Sequence, residues 1–198
     1  MFPNALLVLL ALAPGLMGAS AVAGDAHALL ERLSHGGHVI YWRHATTDHS
    51  QPDRDLRDIE RCEFQRNLNA QGRAEARSVG AGFAARGIPL GEIYSSDFCR
   101  NRETAELAFG RYERVPDLWN LPQAHAGFMG RDELVSRLRA RLGTPPADPS
   151  TNTVLVGHNL NMQAAAGVVI GEGEMAVFRP LGDSRFDFLG RLKPADFE

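Results

Sequence analysis

The fold of this chain is decided by residues 39–44, Val-Ile-Tyr-Trp-Arg-His, in which an apolar run ends abruptly at arginine and histidine. A second run, Val-Leu-Val at residues 154–156, continues in the same way into Gly157-His158. Short β-rich runs that stop at polar residues are typical of buried strands in an α/β sheet. Ligands bind in such sheets outside the carboxyl ends of the strands. We therefore expect His44 and His158 at the ligand-binding edge.

The composition is that of an ordinary globular domain. The chain has 198 residues, of which 44% are hydrophobic and 23% charged, and its formal net charge is -3. This charge argues against a nucleic-acid-binding surface. Lys193 is the single lysine among 21 basic residues, so arginine carries nearly all the positive charge. Arginine suits bidentate phosphate recognition; a GC-rich genome is the alternative explanation for the bulk composition.

Residues 1–23 are predicted to be a signal peptide. They hold no charged side chain, and an apolar stretch from Ala5 to Met17 precedes the small residues Ala21-Val22-Ala23. The stretch is shorter than the about 20 residues that cross a bilayer. We expect cleavage near Ala23, a single domain over residues 24–198, a periplasmic or secreted location and no stable membrane insertion. An uncleaved anchor is the alternative.

Cys62 and Cys99 are the two cysteines of the chain. Export would place them in a compartment where disulfides form and persist. We therefore predict an intrachain disulfide between Cys62 and Cys99, with two buried free thiols as the alternative.

Strands and helices alternate along the rest of the chain. The patterns predict strands over residues 39–42, 88–94, 112–115, 154–156, 175–178 and 186–189. They predict helices over residues 25–34, 69–86 and 132–142, a helix through Arg100 and Leu107, and a helix after His158. Asn69 is the expected N-cap of one helix, and Ser95, Ser96 or Asp97 of another. Residues 45–68 form a long polar stretch, which is typical of a functional or mobile segment.

This alternation implies a mainly parallel sheet covered by helices on both faces, a three-layer α/β/α sandwich. Three strand ends would then meet at one edge, carrying Arg43-His44, residues 95–100 and Gly157-His158. Two arginines and two histidines there would form a cationic pocket suited to a phosphate group. A neutral imidazole can act as a covalent nucleophile. Flanking arginines would lower its pKa by like-charge repulsion and keep it unprotonated.

At these residues the chain resembles the histidine phosphatase superfamily, which has the fold of the cofactor-dependent phosphoglycerate mutases. The family's Arg-His-Gly stands here as Arg43-His44-Ala45. Its Leu-Thr-x-x-Gly-x-x-Gln-Ala segment is similar to residues 68–76, Leu-Asn-Ala-Gln-Gly-Arg-Ala-Glu-Ala. Its Ser-Ser-Pro-x-x-Arg-x-x-x-Thr-Ala segment resembles residues 95–105, and its late Gly-His matches Gly157-His158. These segments occur in the family's order and span most of the chain after residue 23.

The resemblance implies a role for each matching residue. His44 would attack phosphorus and become phosphohistidine, which water then hydrolyses. Arg43, Arg100 and His158 would hold the phosphoryl oxygens and stabilise the transition state. Neither a metal nor another cofactor is implied, because the arginine clamp would supply the positive charge.

The proton donor departs from the family pattern. Mutase-like relatives have a glutamate in the loop after the third strand, where this chain has Asn120. The acid phosphatase and phytase branch has an aspartate beside the second histidine, where this chain has Asn159. We favour Glu174 as the general acid, with Glu172 and Asp48 as alternatives. A missing acid would suit substrates with good leaving groups, including phosphohistidine.

The sequence thus predicts an exported phosphatase that hydrolyses a small phosphorylated substrate. The substrate could be a sugar phosphate or lipopolysaccharide phosphate, or the enzyme could scavenge phosphate broadly. A catalytically inactive phosphate-binding or regulatory module of the same fold is the alternative function. A disulfide would fix residues 45–62 over the pocket as a wall or lid. His49 and His125 lie in long loops that could line it.

Overall fold

A six-stranded sheet forms the centre of the described part of the molecule. The computed structural model describes residues 19–123 and 129–198. The strands are β1 (Val39–Arg43), β2 (Leu90–Ser95), β3 (Glu113–Arg114), β4 (Asn152–Gly157), β5 (Met175–Gly182) and β6 (Arg185–Leu192). Their order in the sheet is β3-β2-β4-β1-β5-β6. The first four in this order run parallel, and the β5–β6 hairpin joins β1 antiparallel.

In the described part of the chain, five α-helices flank this sheet: α1 (Ala19–Ser34), α2 (Ala70–Ala85), α3 (Cys99–Phe109), α4 (Arg131–Gly143) and α5 (Asn159–Ala166). Leu33 of α1 and Phe83 of α2 pack with Trp42 on one face of the sheet. Leu138 of α4 and Met162 of α5 pack with Tyr41 on the other face. Since successive strand residues point to opposite faces, Tyr41 and Trp42 serve the two cores separately. The predicted three-layer α/β/α sandwich is confirmed.

The register of β1 against β4 places the histidines side by side. Arg43 pairs with Gly157 in this parallel pair, so His44 and His158 each follow directly after paired strand ends. The backbone N–H of His44 donates to the Gly157 carbonyl at 3.2 Å. The expected common edge is therefore present.

Helix α2 begins where the sequence predicted. The Asn69 side chain accepts a hydrogen bond from the backbone N–H of Gly72 at 2.8 Å, as an N-cap does. A Cβ atom on Gly72 would lie 2.0 Å from the Thr46 carbonyl oxygen. The glycine therefore lets α2 approach the segment that follows His44.

Other boundaries differ from the predictions. Helix α1 begins at Ala19 rather than near residue 25. The N-cap of α3 is Phe98, with no side-chain capping bond, so the prediction of Ser95, Ser96 or Asp97 as the cap is wrong. Segment 45–68 is not structureless, since it contains a 3-10 helix at Cys62–Phe64 and a bridge between Thr47 and Leu68.

Most of the predicted signal segment, residues 1–18, lies outside the described residues, as does His125. Within 19–123 and 129–198, no helix has both the length and the apolar character needed to cross a membrane.

Candidate active site

His44 and His158 face each other at the carboxyl edge of the sheet. Their ring centroids are 5.7 Å apart in an edge-to-face arrangement. Both side chains are buried, with His44 2% and His158 3% exposed. The segment that follows β1 and the loop after β2 enclose them. Two strand ends that are more than a hundred residues apart in sequence thus form one site.

The hydrogen bond of His44 fixes which ring nitrogen is free. Its Nδ1 lies 3.0 Å from the carbonyl oxygen of Ala45. Because a carbonyl can only accept, we assign the proton to Nδ1 and the lone pair to Nε2. The N–H of Ala45 is in turn held by Thr104 Oγ1 at 3.1 Å. The orienting carbonyl is thereby anchored to α3.

The His44 imidazole is held in its neutral form. Burial lowers its pKa well below the ordinary value, and the charge of Arg100 lowers it further. Arg43 and Arg66 act in the same direction, against the hydrogen bond to Ala45. A neutral imidazole with a free Nε2 is the form that can attack an electrophile.

His158 is also neutral and tightly positioned. Burial lowers its pKa well below the ordinary value, and the neighbouring Arg100 and His44 add to this effect. Its Nε2 lies 3.0 Å from Ser96 Oγ. The Phe98 ring packs against the imidazole edge-to-face at 5.0 Å.

Arg100, on the first turn of α3, is the most buried cation of the site. Its side chain is 1% exposed. Its Nη1 donates to Asp53 Oδ1 at 3.0 Å, and its guanidinium lies 4.6 Å from the centre of the Phe98 ring. Burial lowers the pKa of Arg100 to about 10, which the Asp53 carboxylate opposes. The side chain therefore stays charged at neutral pH.

Arg43 lies at the end of β1, beside His44. Its Nη1 donates to the Ile170 carbonyl at 3.1 Å, and its Nη2 lies 3.4 Å from Glu172 Oε1. Among the described residues, the buried Nε atoms of Arg43 and Arg100 have no hydrogen-bond partner. Buried donors without partners are costly unless a ligand satisfies them. Both arginines thus keep a donor available for an anion.

A third arginine, Arg66, was not identified from the sequence. Its Nη1 lies 3.5 Å from Glu172 Oε1 and 3.1 Å from His49 Nδ1. Its charge lowers the pKa of His44, which places it near the site. Arg66 comes from the 45–68 segment, and no strand end or helix period marks it in the sequence.

Glu172 neutralises part of this positive charge. Its carboxylate accepts from Thr47 Oγ1 at 2.7 Å and from the Thr47 N–H at 3.0 Å. Burial raises the pKa of Glu172, but the Thr47 hydrogen bonds and the charges of Arg43 and Arg66 outweigh it, so the net shift is downward. Glu172 is therefore an ionised anchor rather than a ready proton donor.

The carboxylate of Glu174, the favoured general acid, is hydrogen-bonded within its own turn. Its Oε2 accepts from the Gly171 N–H at 2.8 Å, and its backbone carbonyl accepts from the Arg43 N–H at 3.0 Å. The Asp48 carboxylate similarly binds Ser50. His49, with a side chain 67% exposed, contacts Glu172 at the rim of the site. The structure thus brings neither Glu174 nor Asp48 into contact with the two histidines.

The carboxylate that contacts Arg100 is that of Asp53, which sequence reasoning missed. Asp53 Oδ1 accepts from Arg100 Nη1 and also from the Arg66 N–H at 2.9 Å. Its side chain is 19% exposed, so it lies at the boundary between the buried site and solvent. Residues 45–68 carry many charged side chains, and no sequence pattern distinguishes Asp53 among them.

The predicted bridge between Cys62 and Cys99 is present. It ties the 45–68 segment to the first residue of α3, directly beside Arg100. The Cys99 N–H donates to Gln65 Oε1 at 2.9 Å, and the Arg102 guanidinium contacts both sulfur atoms. The bridge therefore anchors the segment that supplies Asp53 and Arg66.

Comparisons with known proteins give a family match and a set of structures with a similar fold. Residues 39–121 match the model of the histidine phosphatase superfamily, branch 1. Among curated proteins, no significant match was found.

Solved structures share the fold at low identity. A putative phosphohistidine phosphatase SixA from Agrobacterium tumefaciens is 22% identical, with a TM-score of 0.53, over 80% of this chain and 99% of that one. The protein histidine phosphatase SixA complexed with tungstate is 13% identical, with a TM-score of 0.55, over 81% and 99%. A putative alpha-ribazole-5'-P phosphatase from Escherichia coli is 14% identical, with a TM-score of 0.55, over 77% and 95%.

Proposed function

We propose that this chain is a member of the histidine phosphatase superfamily, whose model matches residues 39–121, and that it hydrolyses phosphomonoesters through a phosphohistidine intermediate on His44. The observation that carries this proposal is the neutral His44 ring, whose Nδ1 is bonded to Ala45 and whose Nε2 is free among arginine charges. A neutral nucleophile next to fixed cations is what attack on a phosphate dianion requires.

The first step transfers the phosphoryl group to His44. Its Nε2 lone pair forms a bond to phosphorus while the bond to the ester oxygen breaks and that oxygen keeps the electron pair. Arg43 and Arg100 hold the phosphoryl oxygens through donors that lack other partners among the described residues. His158 completes the clamp. The His44–Ala45 bond stabilises the imidazole as positive charge develops on it.

The second step is hydrolysis of the phosphohistidine. Water attacks phosphorus, the bond from phosphorus to nitrogen breaks, and its electron pair returns to His44 Nε2. The arginine charges that stabilised the first transition state stabilise the second, so we propose that no metal ion and no other cofactor is needed.

We propose a periplasmic or secreted location, with residues 1–23 removed and residues 24–198 forming the enzyme. The apolar segment before Ala21-Val22-Ala23 and the bridge between Cys62 and Cys99 support this location. Cleavage after Ala23 would shorten α1 from its N-terminal end. Sequencing the N-terminus of the mature protein recovered outside the cytoplasm tests the proposal, and an intact Met1 would contradict it.

The substrate is proposed as a small phosphomonoester. The solved relatives carry names for different substrates, phosphohistidine in one and alpha-ribazole-5'-P in another. A shared fold therefore does not select among sugar phosphates, lipopolysaccharide phosphates and broad phosphate scavenging. A panel of phosphoesters assayed across pH would separate a specific enzyme from a scavenger.

The proposal is tested with p-nitrophenyl phosphate and three proteins. The unchanged protein should turn the substrate over and, when quenched in alkali, carry phosphate on His44. His44→Ala should lose both properties. His35→Ala removes an exposed histidine at the end of α1 and is the matched control. Stable phosphate binding with no turnover and no phosphoenzyme would instead favour the inactive phosphate-binding module.

A further inference from the structure

We propose that Asp53 is the general acid and base of this site, donating a proton to the departing alcohol and later accepting one from water. This inference rests on the proposed phosphatase function. It starts from the position of Asp53, whose carboxylate meets Arg100, the cation that would hold the phosphoryl group, at 3.0 Å. A group that protonates the leaving oxygen must lie next to the phosphoryl site.

The carboxylate of Asp53 is held in place through one oxygen, while its other oxygen accepts a single long hydrogen bond. Oδ1 accepts from both Arg100 Nη1 and the Arg66 N–H. Within the described part of the chain, the one hydrogen bond to Oδ2 comes from Arg100 Nη1, at the long distance of 3.4 Å. Oδ2 therefore has room for the proton that a general acid carries.

The backbone around Asp53 fixes the carboxylate without covering it. The Arg54 N–H donates to the Phe64 carbonyl at 2.8 Å, which pairs the two arms of the 45–68 segment. The bridge between Cys62 and Cys99 ties the second arm to α3. The Asp53 side chain is nevertheless 19% exposed, against 1% for Arg100. An alcohol can therefore leave past Asp53 toward solvent.

The other carboxylates near the clamp are less suited to this role. Both oxygens of Glu172 accept hydrogen bonds from Thr47, and two arginines hold it ionised. Glu174 is bonded to the Gly171 N–H of its own turn. Among these three acids, Asp53 is the one whose carboxylate is hydrogen-bonded to Arg100, the most buried arginine of the clamp.

The proton that Asp53 donates comes from solvent and is taken up when the substrate binds. A phosphate dianion seated on Arg100 would compete with the Asp53 carboxylate for the same guanidinium. Two anions that share one cation repel each other, which favours the protonated form of the carboxyl group. Asp53 would thus enter the first step as a neutral acid beside the leaving oxygen.

The proton balance closes over both steps. As His44 Nε2 bonds to phosphorus, the ester oxygen leaves with the electron pair and takes the proton from Asp53. The resulting carboxylate then removes a proton from water as the water oxygen bonds to phosphorus. The electron pair of the nitrogen–phosphorus bond returns to His44. Asp53 ends protonated again, and inorganic phosphate is released.

The test compares leaving groups. For Asp53→Asn, kcat/KM should fall by about 100-fold or more with alkyl phosphates, a loss in the range expected for general acid catalysis. The fall should be much smaller with p-nitrophenyl phosphate, whose phenolate departs without a proton. The dependence of log kcat/KM on the pKa of the leaving alcohol therefore becomes steeper. We expect the unchanged protein to lose activity on alkyl phosphates at high pH, and this loss should disappear from the variant.

Asp55→Asn is the matched control, since Asp55 lies in the same segment and pairs with Arg57. Asp53→Glu retains a carboxyl group and should restore part of the activity on alkyl phosphates, which keeps the test valid if Asp53→Asn folds poorly. Equal losses for all leaving groups would overturn the proposal and make Asp53 a positioning residue for Arg100. Higher activity of Asp53→Asn with all substrates would also overturn the proposal, and would indicate that the Asp53 carboxylate hinders substrate binding.

Failure of this inference differs from failure of the proposed function. If p-nitrophenyl phosphate labels His44 in the unchanged protein but the leaving-group dependence of Asp53→Asn is unaltered, only the role of Asp53 is overturned. If His44 is never labelled, the phosphatase proposal and the role of Asp53 are overturned together.

Discussion

The hydroxyl group of Tyr41 holds both backbone polar groups of His158. It accepts from the His158 N–H at 2.7 Å and donates to the His158 carbonyl at 2.9 Å. Tyr41 is fully buried, and burial raises the pKa of its hydroxyl above the ordinary value. A Cβ atom at Gly157 would lie 2.0 Å from this oxygen, so glycine is needed there. Strand β1 thus positions a residue of the neighbouring strand's end as well as its own His44.

Tyr41→Phe should lower kcat as well as stability, because it affects the position of His158. Two backbone groups lose their partner, which should lower the free energy of unfolding by about 1–3 kcal/mol. Because the His158 backbone is then free to shift, we expect kcat with p-nitrophenyl phosphate to fall as well. Urea unfolding and steady-state kinetics measure the two effects, with Tyr112→Phe as the control. Lost stability with an unchanged kcat would assign the hydroxyl to the fold alone.

The neutral histidines predict that the protein is destabilised by mild acid. The folded state lowers the pKa of His44 and His158 below that of the unfolded chain, mainly by burial. Below pH about 6.5 the unfolded chain therefore binds more protons, and stability falls by about 1 kcal/mol per pH unit for each histidine. Urea unfolding between pH 5 and 7, with the disulfide intact, measures this slope.

His44→Phe provides the comparison for that slope. It removes one of the buried imidazoles, so stability should depend less steeply on pH in the same window. His38, whose pKa burial also lowers, remains in both proteins and does not affect the difference. Equal slopes for the two proteins would show that His44 takes up its proton in the folded state as readily as in the unfolded chain.

Reduction of the bridge should loosen the 45–68 segment. The bridge joins residues 37 apart, and removing a disulfide costs about 2–4 kcal/mol. We expect dithiothreitol to lower both the melting temperature and the activity, since Asp53 and Arg66 lie in the tethered segment. The double variant Cys62→Ser, Cys99→Ser should be insensitive to dithiothreitol. Thiol titration of the purified protein checks the bridge directly, and two free thiols would contradict it.

Glu172 and Glu174 should respond differently to the same substitution. Glu174→Gln keeps an oxygen that can accept from the Gly171 N–H, so kcat/KM with alkyl phosphates should stay close to that of the unchanged protein. Glu172→Gln removes the charge that faces Arg43 and Arg66 and should lower both kcat/KM and stability. Kinetics and urea unfolding of the two variants measure the contrast. A selective loss with alkyl phosphates in Glu174→Gln would restore Glu174 as the acid.

The ends of two strands and the N-cap of α2 could be predicted from the sequence because they depend on local chemistry. The apolar runs before His44 and His158 form β1 and β4, and Asn69 caps α2. The predicted N-cap of α3 was wrong because the side chains at the expected positions make tertiary contacts instead. Ser96 Oγ contacts His158, and the Asp97 carboxylate pairs with Arg114 at 2.6 Å, so neither side chain serves the helix.

The remaining polar residues of the site could not be predicted in the same way. Asp53 and Arg66 lie in a charged loop whose path is set by a distant disulfide and by pairing between its own arms. No periodicity distinguishes them from neighbouring charges that point elsewhere, such as Asp55. The choice between Glu172 and Glu174 depended on the geometry of one turn, which places one carboxylate on Thr47 and the other on Gly171.

The edges of the sheet have a consequence for behaviour at high concentration. Strand β3 has only two residues, the exposed Glu113 and Arg114. At the other edge, the pairing of β6 with β5 is interrupted by two register shifts, one of them beside Gly190. Short, charged or bulged edge strands are poor templates for a strand of another molecule. The sheet that aligns the two histidines is therefore also protected at both sides against edge-to-edge aggregation.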